Sequence, residues 1–84
     1  MKSQAFSVGT SAIVLIAADN QNRNCYVHAS SGSVYLGGST VTASTGLHLP
    51  SNQTITITLP VGEALYGIAS SGTTDVRVLS PDGD

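Results

Sequence analysis

Thr54-Ile55-Thr56-Ile57-Thr58-Leu59 alternates a hydroxyl-bearing β-branched residue with an apolar one along its whole length. Side chains of a strand point to opposite faces in turn, so the segment predicts Ile55, Ile57 and Leu59 against a core. Thr54, Thr56 and Thr58 then form the opposite face. Asp75-Val76-Arg77-Val78 repeats the device, with Val76 and Val78 inward and the charged pair outward. Further strands are expected over Ala5 to Val8, Ser11 to Ala17, Cys25 to Ala29, Val34 to Leu36, Thr40 to Ala43 and Ala64 to Ala69. Ile13-Val14-Leu15-Ile16 is continuously apolar, as befits a strand covered on both faces, which in a chain this short calls for a neighbouring subunit.

Between these runs lie Asp19-Asn20-Gln21-Asn22, Ser31-Gly32, Gly37-Gly38, Pro50-Ser51-Asn52, Pro60-Val61-Gly62 and Ser71-Gly72. Asn and Gly tolerate the positive φ of tight turns and Pro fixes φ at strand ends, so each cluster reads as a turn. No segment has helical periodicity. The sum is an all-β fold, a compact antiparallel sandwich or barrel of jelly-roll type with seven to eight short strands. The 84 residues make a single β domain, with residues 1–10 either an N-terminal arm or an edge strand and residues 80–84 a frayed tail.

Hydrophobic residues make up 40% of the chain but aromatics only 5%, so the core must be built from Val, Ile, Leu and Ala. A core that small leaves little margin for an isolated monomer, and small domains usually gain support from disulfides, a metal or oligomerisation. Cys25 is the one cysteine, so no disulfide forms within the chain. A zinc site would have to combine Cys25, His28 and His48 with a carboxylate, which is too few Cys and His for a closed structural site. Self-association is the support that remains. Charged residues are 10% of the chain against about 25% in ordinary domains. A surface of Ser, Thr, Asn, Gln and Gly follows, one that can be covered by a partner without desolvating charges.

Net charge is −2, and the three cations, Lys2, Arg23 and Arg77, are scattered, which argues against nucleic acid. The apolar run from Ala12 to Ala18 falls far short of the roughly 20 residues of a membrane helix. Polar residues at Ser3, Gln4, Ser7, Gly9, Thr10 and Ser11 also break up any secretory signal.

Catalytic chemistry finds no anchor, and an enzyme is not expected. Cys25 and His28 are three apart, which on a strand sends them to opposite faces, and Cys25 reads as a small buried hydrophobe. No Gly-x-Ser-x-Gly elbow is present. The acids Asp19, Glu63, Asp75, Asp82 and Asp84 fall mostly in turns and the tail, where no pair converges. Asp19 to Asn22 lacks the glycine and terminal Glu of a calcium loop, so no metal and no cofactor is expected. Tyr26, Tyr35 and Tyr66 are the residues of interest. If Val27, Val34 and Leu36 point inward, Tyr26 and Tyr35 point outward, where a large ring with a polar tip suits an interface.

From Gly32 to Leu79 the chain reads Ser33-Val34-Tyr35-Leu36-Gly37-Gly38, then Gly46-Leu47-His48-Leu49-Pro50, then Thr54 to Leu59, then Ala64-Leu65-Tyr66-Gly67-Ile68-Ala69-Ser70-Ser71-Gly72-Thr73-Thr74-Asp75-Val76-Arg77-Val78-Leu79. This succession, over more than half of the chain, resembles the small β-sandwich virion proteins of tailed bacteriophages. The resemblance implies a capsid decoration, or cement, protein made in the host cytoplasm. It would bind the outer shell beside the major capsid protein as a homo-oligomer, a trimer being favoured. The alternative it implies is a small tail or fibre module recognising a host surface. In the decoration role Phe6 and Val8 would be the apolar pegs of an arm over Met1 to Thr10, adding a strand to a neighbour's sheet edge.

Overall fold

A computed structural model describes residues 2–18 and 20–80, Lys2 by its backbone alone. Asp19 and the tail from Pro81 to Asp84, including Asp82 and Asp84, lie outside the described residues. Among the described residues eight strands follow one another: β1 (Lys2–Val8), β2 (Ile13–Ile16), β3 (Arg23–Ala29), β4 (Val34–Gly37), β5 (Leu47–Leu49), β6 (Thr54–Leu59), β7 (Leu65–Ile68) and β8 (Thr74–Ser80). They form two four-stranded sheets, sheet I in the order β1-β8-β3-β6 and sheet II in the order β2-β7-β4-β5. Every pairing is antiparallel. That is the strand order in which a jelly roll wraps its two sheets, so the fold is a sandwich.

Alternation builds the core as the sequence implies. Cys25, Val27 and Ala29 of β3 and Val76 and Val78 of β8 face Val34 and Leu36 of β4 and Leu65 of β7 in a single buried cluster. The cluster has close tolerances. A Cβ added at Gly67 would lie 2.8 Å from Leu15 Cδ1, so only glycine there lets the Leu15 side chain cross β7. Four of the expected turns use positive φ, at Gly32, Asn52, Gly62 and Gly72. Among the described residues no buried polar side-chain atom lacks a hydrogen bond.

The structure bears on four local expectations. Of the two readings of the N-terminal segment the structure has the edge strand, because β1 pairs with β8 of its own chain from Lys2↔Ser80 to Val8↔Thr74. Val8 is fully buried, and Gly9 C=O accepts the Ala69 N–H at 2.8 Å, so Val8 is a core residue and no peg. Ser80, expected to begin the frayed tail, is the buried last residue of β8.

Within one chain the apolar run of β2 is covered on its inner face alone, which leaves the outer face open to a neighbouring subunit. Val14 is 43% exposed, and the register steps from Val14↔Tyr66 to Ile16↔Leu65, leaving Leu15 as a bulge. The extra residue turns both Leu15 and Ile16 inward, which a regular strand cannot do.

Thr40 to Ala43 is no strand. Thr42 Oγ1 accepts the N–H groups of Ser44 and Thr45, Thr45 Oγ1 accepts the N–H of Thr42, and Gly46 N–H donates to Thr42 C=O at 2.8 Å. These local bonds close a single helical turn that outcompetes an extended chain. The missing strand is supplied by Leu47–Leu49, outside the expected strands, which pairs with β4.

Candidate functional site

Strand alternation that fills the core also decides what each sheet shows outward. On sheet II the register sets Val14, Tyr66 and Gly37 in one cross-strand row and Ile68, Tyr35 and His48 in the next. The Tyr35 and His48 rings stack, with centroids 4.9 Å apart and planes 17° from parallel. Neighbouring strands lie about 4.8 Å apart, so side chains standing on adjacent strands stack face to face and present their edges outward. Tyr35 is thereby held between His48 and the row position of Ile68.

The β4–β5 loop reinforces this face. Val41, buried but outside the main core cluster, packs over Gly37, where a Cβ would come within 2.8 Å of Val41 Cγ2. Gly46 closes on the base of Tyr35, leaving 2.7 Å between its would-be Cβ and Tyr35 Cβ. The result is an apolar and aromatic strip of Val14, Tyr66, Ile68, Tyr35 and His48 with no Asp, Glu, Lys or Arg among them.

Sheet I differs. Its outer rows are Ser3, Leu79, Tyr26 and Thr56, and beside them Ala5, Arg77, His28 and Thr54. The polar groups satisfy one another: His28 Nδ1 and Thr54 Oγ1 share a hydrogen bond of 2.8 Å, and Thr58 Oγ1 donates to Asn24 Oδ1 at 2.8 Å. Arg77 pairs with Asp75 at 3.1 Å. Small Ser3 and Ala5 beside longer Arg77 and Leu79 leave an open depression of about 460 Å³, lined also by Gln4 and Val78. Tyr26, 44% exposed, stands in the same row as Ser3 and Leu79, on the far side of Leu79 from Ser3.

The tyrosines therefore divide. Tyr35 and Tyr66 share the strip on sheet II, whereas Tyr26 lies across the sandwich on sheet I.

The titratable candidates are dispersed. Cys25 points into the core, His28 out of sheet I and His48 out of sheet II, so they share neither a nucleophile–base contact nor a metal ion. Burial pushes the Cys25 thiol above its ordinary value of 9.0, with Arg23 pulling weakly the other way. That keeps the sulfur protonated and inert at neutral pH. Among the described residues no three of His, Cys, Asp and Glu gather to hold a metal.

Arg23 is the residue whose role the sequence concealed. It is buried, and its guanidinium donates to the carbonyls of Gln21 at 3.2 Å, of Ala17, and of Glu63 at 2.9 Å. It thus ties the β2–β3 loop to the β6–β7 loop, a use that no spacing motif announces. One of the chain's three cations is therefore internal.

No family model, curated protein or solved structure matches the chain.

Proposed function

We propose that the chain is a structural protein of a tailed-bacteriophage virion, a capsid decoration protein that binds the outer shell as an oligomer and adds contacts that resist internal pressure. The observation that carries this reading is the strip on sheet II. Its Tyr35 and His48 rings are stacked and the β4–β5 loop closes on the base of Tyr35, which gives a pre-organised surface free of Asp, Glu, Lys and Arg and suited to lying on a protein lattice. Rim loops rich in Ser, Thr, Gly and Asn complete such a surface without desolvating charge. Resemblance of Gly32 to Leu79 to small phage virion proteins supplies the setting, made in the host cytoplasm and placed on the shell beside the major capsid protein. Jelly rolls serve in capsids and in lectins alike, so the fold supports the reading only by analogy. No catalytic step is assigned.

The depression on sheet I, with Arg77, Gln4 and nearby Tyr26, favours a second reading, a tail or fibre module holding a sugar of the host surface. Counting copies per particle by quantitative mass spectrometry separates the two. Hundreds of copies support the shell, a few support the tail, and none overturns both. On shells stripped of the chain, His48→Ser combined with Tyr66→Ser should weaken re-attachment while the circular dichroism spectrum stays that of the parent.

A further inference from the structure

Sheet I ends at β6, and β6 is unlike the other three edges. β2 is four residues long and bulged, β5 has three residues, and β1 carries Lys2 and exposes Gln4 on its inward-facing parity. Short, bulged or charged edges discourage pairing with another chain. β6 has six residues, TITITL, with no charge, glycine or proline.

Its free peptide groups can be identified. Ala29 N–H donates to Gln53 C=O at 3.2 Å, and hydrogen-bonded positions of an antiparallel pair repeat every second residue. Continuing the β3–β6 register, the peptides of Ile55, Ile57 and Leu59 face β3. Those of Thr54, Thr56 and Thr58 face away from it, where no strand lies among the described residues. The Thr54 and Thr58 hydroxyls are already bonded within sheet I, to His28 and Asn24.

The open side of the sandwich next to β6 is also under-covered. Ile55 and Ile57 are only half-buried, and Leu47 is 55% exposed although it pairs with inward-facing Leu36.

We infer that β6 is a self-association edge that pairs antiparallel with β6 of a second copy about a two-fold axis at Thr56. In that register Thr54 meets Thr58, Ile55 meets Ile57 and Thr56 meets its own equivalent. Only this register lets all three outward-facing threonine peptides bond, and it places isoleucine on isoleucine on the core side. The strand's alternation is the same read in either direction, which is what an isologous interface requires, and with no charge in β6 the copies do not repel. The two sheets I become one eight-stranded sheet, and the added subunit covers Ile55, Ile57 and Leu47. This pairing deepens, and rests on, the self-assembling role proposed above, and it closes as a dimer where the sequence favoured a trimer.

Light scattering on the full chain should give twice the chain mass at micromolar concentration. Hydrogen exchange should show the Thr54, Thr56 and Thr58 amides protected, with the protection falling on dilution. Thr56→Pro removes an N–H that faces away from β3, so the β-type circular dichroism should persist while the dimer dissociation constant rises about 100-fold or more. A monomer or trimer for the parent, a Thr56→Pro variant that remains dimeric, or free exchange of those three amides at every concentration overturns the inference. Should Thr56→Pro fail to fold, the exchange of the parent decides. Particles that carry a monomeric chain would sink the β6 pairing alone, whereas a β6 dimer missing from particles would sink the capsid reading alone.

Discussion

β1 and β6 are the two edges of the same sheet, yet the inner face of β1 is closed at Val8 whereas that of β6 is only half-covered. β6 alternates perfectly and reads as the surest core strand, but its Ile55 and Ile57 are only half-buried. β1 reads as either an arm or an edge strand, and its Val8 is completely buried in a strand that runs the full length of β8. Alternation reports that a strand has two chemically different faces. How well the inner face is covered depends on the strand across the sandwich, and β6 stands at the side closed by the three-residue β5.

Removing Met1 to Thr10 breaks that comparison most directly. The truncated chain should lose cooperative folding, because it exposes the flank of β8 and uncovers Val76 and Thr74. Thermal melting followed by circular dichroism checks this, and a truncated chain that melts like the parent would restore the detachable arm.

Arg23→Met should come next, at about 3 kcal/mol in denaturant unfolding. The substitution keeps much of the side-chain volume but leaves the carbonyls of Ala17, Gln21 and Glu63 without their donor. A loss below about 0.5 kcal/mol would mean that water replaces the guanidinium at no cost.

The edges themselves can be compared by side-chain truncation. Val8→Ala should cost about 2 to 3 kcal/mol and Ile55→Ala about 1 to 2 kcal/mol when measured on the monomer, although the second deletes more carbon. Equal or reversed costs would show β6 to be as well covered as β1.

The smallest effect concerns pH. The folded Cys25 thiol titrates above its ordinary 9.0, so an unfolded chain gives up this proton first as the solution becomes alkaline. The stabilising contribution is complete below that value and is lost as pH rises from there toward the folded value. The difference in stability between the parent and Cys25→Ala, followed from neutral to alkaline pH, should shrink accordingly. A thiol reagent at neutral pH should label Cys25 only on unfolding.

Much of this molecule follows from short-range sequence. Period-two alternation identified β6, β8 and the outward Tyr26 and Tyr35, and Asn and Gly marked the turns that take positive φ. The separation of Cys25 from His28 followed from strand geometry alone. These are properties of a few consecutive residues, set by local sterics and by which face a side chain takes.

Tertiary structure decided the rest. Which of Ile13 to Ile16 face inward depended on a bulge at Leu15, whose side chain lies against Gly67 of β7. Thr40 to Ala43 has strand-forming residues, but Thr42 and Thr45 found each other first. Arg23 became structural because three carbonyls from two loops converge on it, and Tyr35 found His48 only when β4 paired with β5. Each of these outcomes turns on which distant segment arrives within hydrogen-bonding or van der Waals reach, and that is fixed by strand order and not by the residues beside it in the chain.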